Sequence, residues 1–329
     1  MPTASRPMGV FILGDVAPAD IVSLSRQVER CGFSDLWFAE DYFMLSGFAS
    51  AAMALQATEA VDVGIGAVSN RARHPAVTAM EASTLANAYP GRFTLGIGHG
   101  VPFWVAQMHL TPKSVLGSMR EAITGVKRLF EGETLTRTGD YYGYDAVSLT
   151  HPAPDLQVLG AAVGPKSVDL CAEIADGMVL SAMAGPRYVA TVRERIAKVR
   201  RERGLPEDFQ LVTYAITSVG EDRAAARAKV RPLIALYLGA MGPTLITGVY
   251  DANDALVGLI DEGGAAAIEA DMPDDWLDWL AVAGRPEDCR SGVEALFDAG
   301  ATKVVLCVVP SEELPTQLEI LGSEVLPGI

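Results

Sequence analysis

The chain of 329 residues is poor in the side chains that build metal and disulfide sites. It has four cysteines, Cys31, Cys171, Cys289 and Cys307, and no C-x-x-C pair. Their surroundings read as helix or strand, so the expectation is buried free thiols in a reducing compartment. Four histidines with no H-x-x-x-H disfavour a zinc enzyme, and no metal is expected. Aromatics are 7% of the residues, so a core must be mostly aliphatic. Bases are outnumbered 26 to 41, for a formal net charge of −15. Such a surface repels nucleic acid and anionic lipid, and neither is an expected partner. No apolar run reaches the roughly 18 residues of a membrane span, and residues 1–7 do not read as a secretory signal. The chain reads as cytoplasmic and soluble.

What is present is alternation. Strand-like apolar runs at 9–13, 35–38, 61–68, 93–97, 156–161, 178–181, 210–219 and 304–309 are separated by helix-like stretches. The helical stretches are 19–30, 48–57, 75–88, 113–130, 165–175, 186–203, 222–238, 286–299 and 314–326. Residues 140–149 read as an excursion or short hairpin, and 241–281 as an insertion of short helices. Strands each followed by a helix predict a closed parallel (β/α)8 TIM barrel, which needs roughly 250 residues plus insertions. An open doubly wound sheet is the rival, but the first strand–helix turn, Gly14-Asp15-Val16-Ala17-Pro18, lacks the G-x-G-x-x-G fingerprint. No low-complexity linker divides the chain, so 1–329 is read as one domain with the insertion inside it.

In a barrel the chemistry sits at the C-terminal strand ends. Those ends carry Glu40, Asp41, Tyr42 and Phe43; Ser69, Asn70, Arg71, Arg73 and His74; Gly98, His99, Gly100 and Val101; Val163, Gly164, Pro165 and Lys166; and Ser181 and Met183. Gly164-Pro165-Lys166 opens a helix. Glycine permits close approach, proline gives up an N–H where none is needed, and the free N–H groups with Lys166 suit a phosphate. The same tripeptide also serves as an ordinary helix start. Alternating glycines at Gly96, Gly98 and Gly100 clear room for a flat ring or a phosphate, although such loops often only turn the chain. Adjacent Glu40 and Asp41 cannot both point inward from a regular strand, and Asp41 is the favoured acid–base group; Glu40, Tyr42 and His99 are the other catalytic candidates. Trp104, Met108 and Tyr42 are candidates for an apolar substrate wall.

The stretches Val63-Gly64-Ile65-Gly66-Ala67-Val68-Ser69-Asn70, Arg73-His74-Pro75-Ala76 and Pro90-Gly91-Arg92-Phe93-Thr94-Leu95-Gly96-Ile97-Gly98-His99-Gly100 resemble the luciferase-like monooxygenase superfamily. So do Gly160-Ala161-Ala162-Val163-Gly164-Pro165-Lys166-Ser167 and Ala175-Asp176-Gly177. The likeness runs over about residues 8–220 and is strongest to the branch that uses the deazaflavin coenzyme F420, which includes methylenetetrahydromethanopterin reductase.

That resemblance implies an F420-dependent oxidoreductase moving hydride to or from a small organic substrate such as a ketone or alcohol, an imine or an activated alkene. An FMN-dependent monooxygenase is the alternative, and a barrel that binds without catalysis a third reading. It implies a cis peptide at Gly66–Ala67, with Ala67, Val68, Ser69, Gly98, His99, Gly100 and Val101 along the ring. It also implies a tail phosphate held by Val163, Gly164, Pro165 and Lys166, and a homodimer. Ser181 and Met183 join the candidate cofactor contacts. The departures fall at the proton donor. Sugar-phosphate dehydrogenases of the branch carry a histidine where this chain has Tyr42 and a glutamate at Val101. The methylenetetrahydromethanopterin reductases carry acids at the positions of Phe11 and Val101. No substrate is therefore carried over.

Overall fold

A computed structural model describes residues 6–329. Eight parallel strands close a barrel: β1 (Met8–Ile12), β2 (Asp35–Phe38), β3 (Asp62–Ser69), β4 (Phe93–Gly98), β5 (Val158–Ala161), β6 (Gly177–Leu180), β7 (Gln210–Val219) and β8 (Lys303–Val308). Each pairs with its neighbour in chain order, and β8 closes the ring on β1, Phe11 opposite Cys307. Closure leaves no barrel strand with an unpaired edge. Strands covered by helices outside and side chains inside must be apolar on both faces, and β1 and β6 are buried throughout.

Two layers of core result. The larger lies between strands and helices, built from aliphatic side chains such as Val10, Leu36, Ile65 and Leu95. The smaller fills the barrel with Phe11, Trp37, Leu159, Val179, Val212, Tyr214, Val305 and Cys307. Trp37 occupies the middle because β3 supplies Gly64 opposite it; a Cβ there would lie 2.4 Å from the indole. At the base, Lys303 and Asp35 form a buried ion pair that closes the other end.

The helices fall close to the expected stretches, among them Gly47–Ala57, Pro75–Ala88, Pro165–Ile174, Pro186–Arg203 and Pro286–Asp298. Three differences stand out. A helix, Pro102–Gln107, replaces the loop expected around Trp104, because Pro102 takes the first helical position. The hairpin begins earlier than expected, as Leu135–Thr138 against Gly143–Val147. The insertion after helix Arg223–Met241 is indeed short helices, between Leu245 and Leu280, but it ends in a strand, Ala281–Gly284, paired beside the end of β7. Four small residues carry no periodicity by which to foresee that strand. The pairing places the insertion at the C-terminal face of the barrel. No described helix is long and apolar enough to cross a membrane.

Candidate active site

The register gathers the small residues of three strand ends. Ser69 lies beside Gly98, and Gly98 beside Ala161. β3 bulges between Ile65 and Val68, and the Gly66–Ala67 peptide within the bulge is cis, the bond named by the resemblance. Tyr214 of β7 reaches across the barrel and donates to the Gly66 carbonyl at 3.1 Å. A Cβ on Gly66 would sit 2.2 Å from that hydroxyl, so only glycine fits. A Cβ on Gly98 would meet Ala161 at 3.2 Å and Ala67 at 3.7 Å. The result is a patch of small residues, Ala67, Gly98 and Ala161, at three neighbouring strand ends.

The β4 loop is tied to the β3 end. Asn70 N–H donates to the Gly98 carbonyl at 2.8 Å, and Ser69 Oγ accepts from Arg71 N–H at 3.2 Å. Gly100 has φ +75°, and a Cβ there would fall 2.7 Å from Ser69 Oγ. His99 is half-buried, and its Nδ1 is 2.8 Å from the Gly100 carbonyl. A carbonyl only accepts, so Nδ1 carries the hydrogen and Nε2 is left without a partner among the described residues. Val101 is exposed and precedes the Pro102–Gln107 helix. Val68 and Met183 are buried, Met183 bridging to Ala215, and Ser181 lies half-buried after β6.

Gly164 is the extended N-cap of helix Pro165–Ile174, and nothing lies within 4 Å of where its Cβ would be. Lys166 is exposed and has no acidic partner among the described residues. The loop is held from below by Tyr188, which donates to the Val163 carbonyl at 2.8 Å, and from the side by Arg195, which is paired with Asp169 at 2.6 Å and donates to the Pro165 carbonyl at 3.2 Å. The helix start is therefore rigid, open and free of competing side chains.

The acids after β2 divide. Glu40 forms a two-pronged ion pair with Arg73, 2.7 Å on one side, and accepts from Gly47 N–H at 3.3 Å. It is a fastening between the β2 and β3 loops. The Asp41 carboxyl has no hydrogen-bond partner among the described residues, and burial raises its pKa. Tyr42 is buried beside Ser69, and burial pushes its phenol up. Phe43, Met44 and Phe103 are exposed, up to 68%, so the rim of the mouth is apolar. Trp104 and Met108 are half-buried behind it. His74 caps helix Pro75–Ala88, accepting from Ala76 N–H at Nδ1, so its Nε2 hydrogen goes to the Gly143 carbonyl at 3.0 Å.

Tyr214 went unnoticed in the sequence, although its alternation with Val212 marks it as inward-facing.

The luciferase-like monooxygenase family model matches residues 6–303, and the chain belongs to that family. It is 24% identical to 5,10-methylenetetrahydromethanopterin reductase of Archaeoglobus fulgidus over 98% of this chain and 99% of that one. It is 30% identical to F420-dependent glucose-6-phosphate dehydrogenase of Beutenbergia cavernae, over 68% of this chain and 70% of that one. Its fold matches that of the coenzyme F420-dependent tetrahydromethanopterin reductase from Methanopyrus kandleri, with a TM-score of 0.85 and 22% identity over 98% and 99% of the two chains.

Proposed function

We propose that the protein is an F420-dependent oxidoreductase that transfers hydride between the deazaflavin and a small organic substrate. The observation that carries this reading is the open, rigid helix start at Gly164, beside the patch of Ala67, Gly98 and Ala161. These residues fit a flat ring with a phosphate tail: small side chains where a ring would lie, and exposed N–H groups and Lys166 where a phosphate would sit. The relatives' named cofactor and their match along nearly the whole chain support the same reading.

In this reading Gly164, Pro165 and Lys166, with Val163 behind them, hold the tail. Gly66, Ala67, Val68, Ser69, Gly98, His99, Gly100 and Val101 line the ring, with Ser181 and Met183 at its far side. When bound, the deazaflavin supplies or accepts a hydride. The protein's own work is to orient the substrate and keep a proton available. Asp41 is suited to the second task. Half-buried and unpaired, it holds its proton to higher pH than an exposed aspartate does. Glu40, engaged by Arg73, keeps the Asp41 loop in place.

The chain acts in this proposal as one domain with its helical insertion, as a cytoplasmic homodimer. With a net charge of −15 it takes neither nucleic acid nor membrane as partner.

Fluorescence titration of the full chain with F420 and absorbance titration with FMN test the cofactor. Tighter binding of F420 is expected; tighter binding of FMN would move the protein to the monooxygenases. Asp41→Asn is expected to slow reduction of substrate by about tenfold or more while leaving F420 affinity within about twofold. In the native protein, reduction is expected to fall as pH rises through the raised Asp41 pKa, because the protonated carboxyl is lost there. The Asn variant lacks that limb. Equal rates and equal pH profiles in the two proteins would remove Asp41 from the mechanism.

A further inference from the structure

Strand β3 is buried along its length except at its first residue and at Gly66 and Ala67, which are half-exposed. Its pairing with β4 shifts between Ile65 and Val68, so this pair leaves the ladder. It is the part of β3 that solvent, and hence a ligand, reaches. Three other strands close on it. A Cβ on Gly66 would fall 2.2 Å from Tyr214 Oη of β7 and 3.2 Å from Trp37 Cε3 of β2. A Cβ on Gly96 of β4 would fall 2.6 Å from the Ile65 carbonyl oxygen and 3.2 Å from Gly66 Cα.

Tyr214 is itself held in place. It is buried inside the barrel, its ring 5.0 Å from that of Phe11 and edge-on to Trp37 at 5.9 Å. A hydroxyl in such an apolar layer costs free energy unless it is hydrogen-bonded. Tyr214 Oη makes its bond to the Gly66 carbonyl, joining residues 148 apart in the chain. The other aromatic donor of the layer, Trp37 Nε1, has no partner among the described residues. Phenylalanine would fill the same space without that cost, as Phe11 does beside it. What the tyrosine adds is a hold on one backbone oxygen at the solvent-reached part of β3.

We propose that Tyr214 is a positioning residue for the cofactor ring: its hydroxyl holds the Gly66 carbonyl and so sets where Ala67, beside Gly98, stands against the ring. The proposal rests on the reading of the mouth as a deazaflavin site. Tyr214 acts through the backbone of β3 and not by a contact of its own. In that reading the tail is held elsewhere, by Gly164, Pro165 and Lys166, on a different strand end. Ring and tail therefore make separable demands on the protein, and Tyr214 serves only the first. A seat fixed before the cofactor arrives saves the ordering that binding would otherwise require.

The test uses the full chain and two fluorescent probes, F420 and the ribityl deazaflavin left when its phosphate tail is hydrolysed off. Tyr214→Phe removes only the hydroxyl, and water can reach the half-exposed Gly66, so the melting temperature is expected to stay within about 3 °C of the native chain. Affinity is expected to fall about tenfold for both probes, and the fluorescence anisotropy of the bound ring to fall with it. Lys166→Ala, by contrast, is expected to weaken F420 and to leave the tailless probe as in the native chain. Phe11→Leu loosens the packing around the Tyr214 ring but keeps the hydroxyl; it is expected to lower the melting temperature, with both affinities within about twofold. Native-like affinity of Tyr214→Phe for the tailless probe overturns the proposal. So does an equal loss of affinity in Phe11→Leu, which would make packing the cause. A Tyr214→Phe chain that does not fold, or a native chain that binds F420 but not the tailless probe, overturns it as well. A native chain that binds neither probe overturns the cofactor reading and takes this one with it.

Discussion

Two helix starts stand side by side on this barrel with nearly the same sequence. Gly164-Pro165-Lys166 follows β5 and Gly185-Pro186-Arg187 follows β6. Both N-cap glycines are extended, with φ −76° and −70°, and both prolines take the first helical turn. Their surroundings differ completely. At Gly164 the space is open. At Gly185 a Cβ would fall 2.1 Å from the Trp279 carbonyl oxygen and 2.6 Å from the Tyr250 hydroxyl. Tyr250 accepts the Arg187 N–H at 3.0 Å, stacks on Trp279 at 4.0 Å and carries the Arg187 guanidinium at 5.3 Å from its ring. The insertion has supplied the second helix start with a partner from the protein itself. A glycine–proline–cation start is thus an offer of N–H groups, and the rest of the chain decides whether a ligand or a side chain takes it.

Substitutions at the two starts should therefore have opposite consequences. Gly185→Ala is expected to cost about 2–3 kcal/mol of stability through overpacking against the Trp279 backbone, read as a lower midpoint in urea unfolding. Gly164→Ala makes no contact and should leave that midpoint nearly unchanged. A similar loss at both positions would erase the contrast. Lys166→Ala is expected to weaken F420 binding about fivefold, more at low salt than at high, while stability stays within about 0.5 kcal/mol. A salt-independent effect would mean that Lys166 acts through packing. Tyr250→Phe should have the smallest effect, about 0.5 kcal/mol, because water can replace the hydroxyl at the exposed Arg187 N–H. A larger loss would show that the latch between insertion and barrel depends on that one bond.

The barrel was legible because its signal is repeated. Apolar runs with helices between them fall at nearly the right residues, and the glycine-rich ends of β3 and β4 announce a site by the rule that barrels keep their chemistry there. What was not legible is long-range. The sequence favours Asp41 over Glu40 but does not show what holds Glu40; Arg73, 33 residues away, is what commits one and leaves the other free. The two helix starts look alike until Tyr250 and Trp279 are placed. Strand Ala281–Gly284 is too short to show a period, and its identity comes from the β7 edge it joins.

The most direct measurement is a fluorescence titration of F420 into the native chain and into Gly164→Asp, side by side. The aspartate has room to fold, since nothing lies within 4 Å of that position, but it puts a negative charge where the tail phosphate is held. The account predicts saturable binding to the native chain and a loss of at least about a hundredfold in the variant, with an unchanged melting temperature. Equal affinity in the two proteins would contradict it, and would move the cofactor away from the helix that begins at Pro165.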